Sequence, residues 1–72
     1  MKKREPQVLE GKRRLAVALA YDGRNAPRVS AKGEGELAER IIATAAENGV
    51  PVRNEPELVE VLAQLPLEHE IP

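Results

Sequence analysis

The side chains that could take part in catalysis are few and widely spaced. The chain has one histidine, His69, one serine, Ser30, one threonine, Thr44, and no cysteine. The missing cysteines exclude a thiol nucleophile, a disulfide framework and a cysteine-based zinc site. A serine–histidine–acid triad would have to join Ser30 to His69, with no supporting motif around either residue. We therefore predict no catalytic residue.

The glutamates beside His69 raise the question of a metal site. In an extended segment, Glu68, His69 and Glu70 point to alternating sides, whereas a metal needs three or four converging ligands. Nothing nearby in sequence would desolvate or orient His69 for proton transfer. We expect an exposed tail histidine, no metal and no cofactor.

Lys32-Gly33-Glu34-Gly35 superficially suggests a phosphate-binding loop. In such loops the lysine follows the second glycine, whereas here it precedes both. Glu34 and Glu36 would also repel an anion at the start of the following helix. These glycines are interpreted as turn and cap residues.

The segment from Leu15 to Tyr21 is the most apolar of the chain, and its side chains alternate by size. Leucine, valine and tyrosine would share one face, and three alanines the other. Because both faces are apolar, the pattern predicts a central strand covered on both sides, with the alanine face allowing a helix to approach closely. A helix is the alternative, since alanine and leucine favour it.

A βαβ unit is predicted next. Residues 28–32 read as a strand with Val29 and Ala31 inward, ended by Gly33, and residues 34–48 as a helix with Ile41 in the middle of its buried stripe. A short edge strand at 50–53 should run parallel to the first. A second helix begins near Pro56. The fold class is therefore α/β, with a three- to four-stranded mixed sheet and two main helices.

Size and charge limit the possible functions. A chain of 7.9 kDa has one thin core and little room for an enclosed substrate pocket. Residues 1–14 carry six Lys/Arg and two Glu, while residues 33–72 carry nine Glu and two Arg. We interpret residues 1–14 as a basic N-terminal arm, with at most a helical turn around 7–10, and residues 15–72 as the folded domain. No secretory signal or membrane span is evident, so we expect a cytoplasmic protein.

Several segments, in this order and spacing, resemble a known family. They are Ala16-Val17-Ala18-Leu19-Ala20-Tyr21-Asp22, Ala26-Pro27, Ala31-Lys32-Gly33, Leu37-Ala38-Glu39-Arg40-Ile41, Asn48-Gly49-Val50-Pro51-Val52 and Glu70-Ile71-Pro72. The chain resembles the cytoplasmic domain of the type III secretion export switch proteins, the FlhB/YscU/EscU/HrcU family.

The resemblance implies a role in protein export without self-cleavage. Family members cleave themselves at an Asn-Pro-Thr-His loop, and Gly11, Lys12, Arg13 and Arg14 occupy the corresponding positions here. Their membrane part and a further C-terminal helix have no counterpart in this sequence, which suggests a stand-alone FlhB-like (FlhX) paralogue. Ala26 and Pro27 match a family loop implicated in recognising export substrates.

The expected function is thus a non-enzymatic interaction module of the flagellar or type III export apparatus. Its partners would be export-gate components or export substrates. The chain would bind them as a monomer, at the periphery of the membrane gate. The alternative is a small adaptor that binds nucleic acid or an anionic surface through the basic arm. Nucleic acid is not the expected partner, because the acidic half would repel phosphate and Tyr21 alone provides no stacking platform.

Overall fold

The computed structural model describes residues 6–12, 14–21 and 27–67, and within them it contains one four-stranded sheet and two helices. In chain order the elements are β1 (Gln7–Gly11), β2 (Leu15–Ala20), β3 (Arg28–Glu34), α1 (Glu36–Glu47), β4 (Val52–Asn54) and α2 (Pro56–Leu62). The strand order is β3-β2-β1-β4, with β1 antiparallel to β2, β2 antiparallel to β3 and β4 parallel to β1. The predicted α/β class and mixed sheet are confirmed.

β3, α1 and β4 form the predicted βαβ unit, but its two strands are not neighbours in the sheet. β3 and β4 run in the same direction, as expected, but they occupy opposite edges of the sheet with β2 and β1 between them. α1 therefore has to cross the sheet to connect them. The edge position predicted for the strand after Pro51 is confirmed.

The side chains of β2 separate the core into two layers, as their alternation in size predicts. Val17 and Leu19 lie with Val59 and Leu62 of α2 on one face of the sheet. On the other face, Ala16 lies under α1. The central strand is thus covered on both sides, with the small residues beneath the longer helix.

The interpretation of residues 7–12 as part of an arm was wrong, and so was the helical turn around 7–10. β1 lies inside the sheet, hydrogen-bonded to β2 on one side and β4 on the other. Val8 and Leu9 are both buried, each facing a different helix. Two adjacent apolar residues are too few to show the alternation that marks a strand. The strand that β1 pairs with in parallel, β4, lies more than 40 residues away in sequence, so the pairing has no local signal.

β3 differs from its prediction in two ways. A bulge at Ser30 shifts the register, so that Leu19 pairs with Val29 but Ala18 pairs with Ala31. Val29 is consequently buried on the α2 side, whereas Ala31 lies half-buried on the α1 side. The strand also continues through Gly33 to Glu34 instead of ending at Gly33.

Gly33 is required by the packing of α1. A Cβ at this position would lie only 2.4 Å from Cγ and 2.9 Å from Cβ of Leu37, so a larger residue would force Leu37, in the first turn of α1, to move away from β3. α1 begins after Gly35 and ends before Gly49, both with positive φ. Ile41 packs against the core under α1 but is half-buried instead of fully buried, and the fully buried residues of α1 are Ala38 and Ala45.

The C-terminal end of α2 is held by a residue of β3. The Lys32 ammonium donates hydrogen bonds to the backbone oxygens of Ala63, at 3.0 Å, and Leu65, at 2.5 Å. These carbonyls lie at the end of the helix, where no further amide of the helix is available to them. The last turn of α2 has no basic residue of its own, so Lys32 provides the positive charge at the negative end of the helix dipole.

Candidate interaction site

Gly11, Lys12 and Arg14, three of the four positions that the family resemblance matches to a self-cleavage loop, lie at the hairpin between β1 and β2. Gly11 is the last residue of β1 and pairs with Leu15, the first residue of β2. Lys12 and Arg14 lie in the connection and are exposed, whereas Arg13 lies outside the described residues. The structure therefore places this stretch in one tight turn.

Arg14 fixes this turn against the start of α1. Its φ of 53° lies in the left-handed region, and its carbonyl oxygen accepts a hydrogen bond of 2.9 Å from the backbone N–H of Gly35. Its guanidinium forms an ion pair with Glu39, one turn into α1. The backbone oxygen and the side chain of Arg14 thus both bind the same segment.

The described residues of the turn are one glycine and two basic residues. Gly11 has no side chain, and adding a Cβ would bring it to 3.2 Å from Cγ1 of Val59. The side chains of Lys12 and Arg14 donate hydrogen bonds and accept none. Their chemistry is that of charge: they can bind anions or carboxylates.

The second predicted site is the loop between β2 and β3. Pro27 is half-buried immediately before β3, and Ala26 lies outside the described residues. Ala20 and Arg28 form the last cross-strand pair before this loop. Pro27 therefore stands at the corner of the sheet where β2 ends and β3 begins.

An open apolar groove of about 420 Å³ lies beside that corner, on the α1 face of the sheet. Its floor is formed by small residues of the strands, including Ala18, Ala20 and Ala31. Ile41 and Thr44 of α1 line one wall. The sequence patterns did not predict this groove, although they placed several of its residues in the core.

The described residues do not assemble a metal site or a membrane span. Within residues 6–12, 14–21 and 27–67, no three His, Asp or Glu side chains converge. Neither described helix is long and apolar enough to cross a membrane. His69 lies outside the described residues.

A protein-family model described as the FlhB HrpN YscU SpaS family matches residues 8–72. The match includes every residue of the fold from Val8 onward, β1 among them. This chain belongs to that family. It is an export-switch-like domain of the FlhB/YscU type, associated with type III secretion and protein export.

Two further proteins are similar to this FlhB-type chain. An uncharacterized protein, YlqH, of Bacillus subtilis (strain 168) is 44% identical over 61 residues, which are 82% of this chain and 66% of that protein. The chain thus spans slightly less than two thirds of the relative's length. A crystal structure of the EscU C-terminal domain, in a single-substitution variant, superposes with a TM-score of 0.78 at 22% identity. That match covers 90% of this chain and 72% of the EscU chain, and it shows that the fold is shared.

Proposed function

We propose that this FlhB-type domain is a non-cleaving protein-interaction module of the flagellar or type III export apparatus. Membership of the export-switch family over residues 8–72 is the observation that carries the proposal. The domain would act in the cytoplasm as a monomer, beside the membrane export gate, and would bind export-gate components or export substrates. Its action would be binding alone, with no bond made or broken.

The chemistry of the β1–β2 turn supports the proposed absence of self-cleavage. Cleavage at an Asn-Pro bond needs a side-chain amide that can attack its own backbone carbonyl. Gly11, Lys12, Arg13 and Arg14 contain neither asparagine nor proline. The anchoring of Arg14 to Gly35 and Glu39 supports a structural role for this turn, namely holding the hairpin against α1.

Docking would use the corner where β2 ends and β3 begins, through Ala26 and Pro27. The open groove supports that location, because it exposes apolar side chains up to Ala20, the last residue of β2 before this loop. Exposed apolar surface beside polar residues is typical of protein-binding sites.

The structure gives no support to the alternative, an adaptor that binds nucleic acid or an anionic surface. Residues 7–11, which were assigned to the basic arm, are a strand of the sheet. Arg14 is already paired with Glu39.

Purified export-gate components and export substrates, immobilised one at a time, test the proposal directly. The chain should bind at least one of them, and an equal amount of double-stranded DNA should retain none at physiological salt. Retention by DNA alone would overturn the proposed function.

A further inference from the structure

The path of α1 leaves one corner of the sheet uncovered by either described helix. α1 starts beside Gly33 at the end of β3, and the Val50 amide that follows it donates to the Ala45 oxygen at 2.8 Å, just before β4 on the opposite edge. A helix that connects opposite edges has to run diagonally across the face. The end of β2 and the first half of β3 therefore lie beside α1 instead of beneath it.

The uncovered corner has the composition of an interior. In a sheet with one face in water, the outward positions are usually polar. Here three outward positions, Ala18, Ala20 and Ala31, are alanines and half-buried, and Ile41 of α1 lines the groove beside them, also half-buried. The described polar residues of this corner are Ser30, which lines the groove, and Arg28, which pairs with Ala20 at its outer end. Small residues on the floor leave room for larger side chains from outside.

The shape of the groove favours a helix as its occupant. The floor is the face of the sheet, whose backbone groups are already paired within the ladders. An extended segment lying on that face would bury its own amides and carbonyls without partners, which is costly. A helix satisfies its own backbone and can pack alongside α1, which is about 18 Å long from its 12 residues.

The positive charge of Arg40 at the rim of the groove indicates that the bound helix carries a negatively charged side chain. Arg40 lines the groove, is exposed, and forms no ion pair with any described residue. The remaining polar groups of this wall, Thr44 and Asn48, are neutral. Glu36 and Glu39 lie beside Arg40 but outside the groove. A carboxylate on the incoming helix would therefore meet a cation, and none of the acidic residues of α1 lines the groove itself.

We propose that this groove binds an amphipathic helix of a partner protein, with bulky aliphatic side chains on the alanine floor and a carboxylate against Arg40. The inference rests on the proposed function of the chain as a docking domain, and it names the kind of segment that docks. It also assigns the site to Ala18, Ala31, Ile41 and Arg40, outside the Ala26–Pro27 loop.

Two synthetic peptides test the proposal on the whole chain. The first is a labelled 16-residue amphipathic helix with a leucine stripe flanked by glutamates, and its twin has lysines in place of the glutamates. Fluorescence anisotropy should show tighter binding of the acidic peptide. Arg40→Glu should lower the affinity for the acidic peptide about three- to tenfold, which is the scale expected when one exposed ion pair is lost and replaced by a repulsion. The same variant should bind the lysine peptide more tightly than the parent does. Lys12→Glu is the matched control and should change neither affinity by as much.

A second pair of variants tests the floor of the groove. Ala31→Leu would fill the open space above the sheet and should abolish detectable binding. Ala43→Leu, on the exposed side of α1, is the control and should bind like the parent. Circular dichroism of both variants checks that the fold is retained, and the bound peptide should gain helical signal.

Three results would overturn the groove proposal: equal binding to the parent and Ala31→Leu, preference for the lysine twin, or a stable dimer of the chain that hides the groove. The proposed function fails separately, when no purified export component binds the parent chain. If an export component binds but Ala31→Leu and Arg40→Glu bind it equally well, the groove proposal is wrong while the proposed function stands.

Discussion

Replacing Lys32 by methionine tests the contact that joins β3 to the end of α2. Methionine keeps the apolar stem of the side chain but removes the ammonium and its hydrogen bonds to the Ala63 and Leu65 oxygens. A hydrogen bond to a charged group contributes roughly 1.5–3 kcal/mol when well protected, and a cation at a helix C-terminus about 0.3–1 kcal/mol. Because Lys32 is half-buried and water can replace part of the interaction, we expect the free energy of unfolding to fall by about 1–2 kcal/mol.

Urea and thermal unfolding of the parent and the variant measure this loss. For a domain of this size, 1 kcal/mol corresponds to roughly 4–8 °C, so the midpoint of thermal unfolding should fall clearly. Lys12→Met is the matched control, since Lys12 is exposed and makes no hydrogen bond or ion pair with the described residues. It should stay within about 0.5 kcal/mol of the parent. A Lys32 variant as stable as the Lys12 control would refute the role given to this contact.

Three further predictions concern the turn and the core. The purified chain should remain one species near 7.9 kDa by intact-mass measurement after days at neutral pH, and fragments that break between residues 11 and 14 would contradict the account of the turn. Ile41→Ala should cost about 1–1.5 kcal/mol because Ile41 is half-buried, whereas Val59→Ala, at a fully buried position, should cost about 2–3 kcal/mol. A reversed order in urea melts would show that the two faces are packed differently. Gly33→Val should destabilise by about 1–3 kcal/mol through the clash with Leu37, and a variant as stable as the parent would exclude the close approach of α1.

The parts of the fold that could be predicted from sequence are those encoded by local periodicity. β2 was predictable because its leucines and alanines separate onto two faces over six residues. α1 was predictable because its apolar stripe is long and is followed by Gly49 at a positive φ. Such signals lie within one element and do not depend on which element is its neighbour.

The missed features depend on contacts between distant segments. β1 offers only Val8 and Leu9 as apolar residues, and its place between β2 and β4 is decided by long-range pairing. The bulge at Ser30, which separates Val29 from Ala31, is a property of the pairing with β2. No local pattern near either segment indicates these arrangements.

The candidate site was predicted in part. The sequence located the β1–β2 turn and Pro27 through the family resemblance. The groove was not predicted, because the alanines of β2 were interpreted as lying wholly under a helix. The diagonal course of α1, set by the strand order, covers Ala16 fully but leaves Ala18 half-exposed. One sequence signal of the groove was that alanine continues to the end of β2, where a strand facing water usually carries polar residues.

The central claim, that the folded domain docks an export-apparatus protein, is tested most directly by surface plasmon resonance against purified export-gate components at low and high salt. Pro27→Glu should raise the dissociation rate about tenfold, because it places a charge in a contact that excludes water. Deletion of residues 1–5, which removes Lys2, Lys3 and Arg4 but spares β1, should change only the association rate, and only at low salt. Loss of binding on that deletion, with normal binding of Pro27→Glu, would contradict the account.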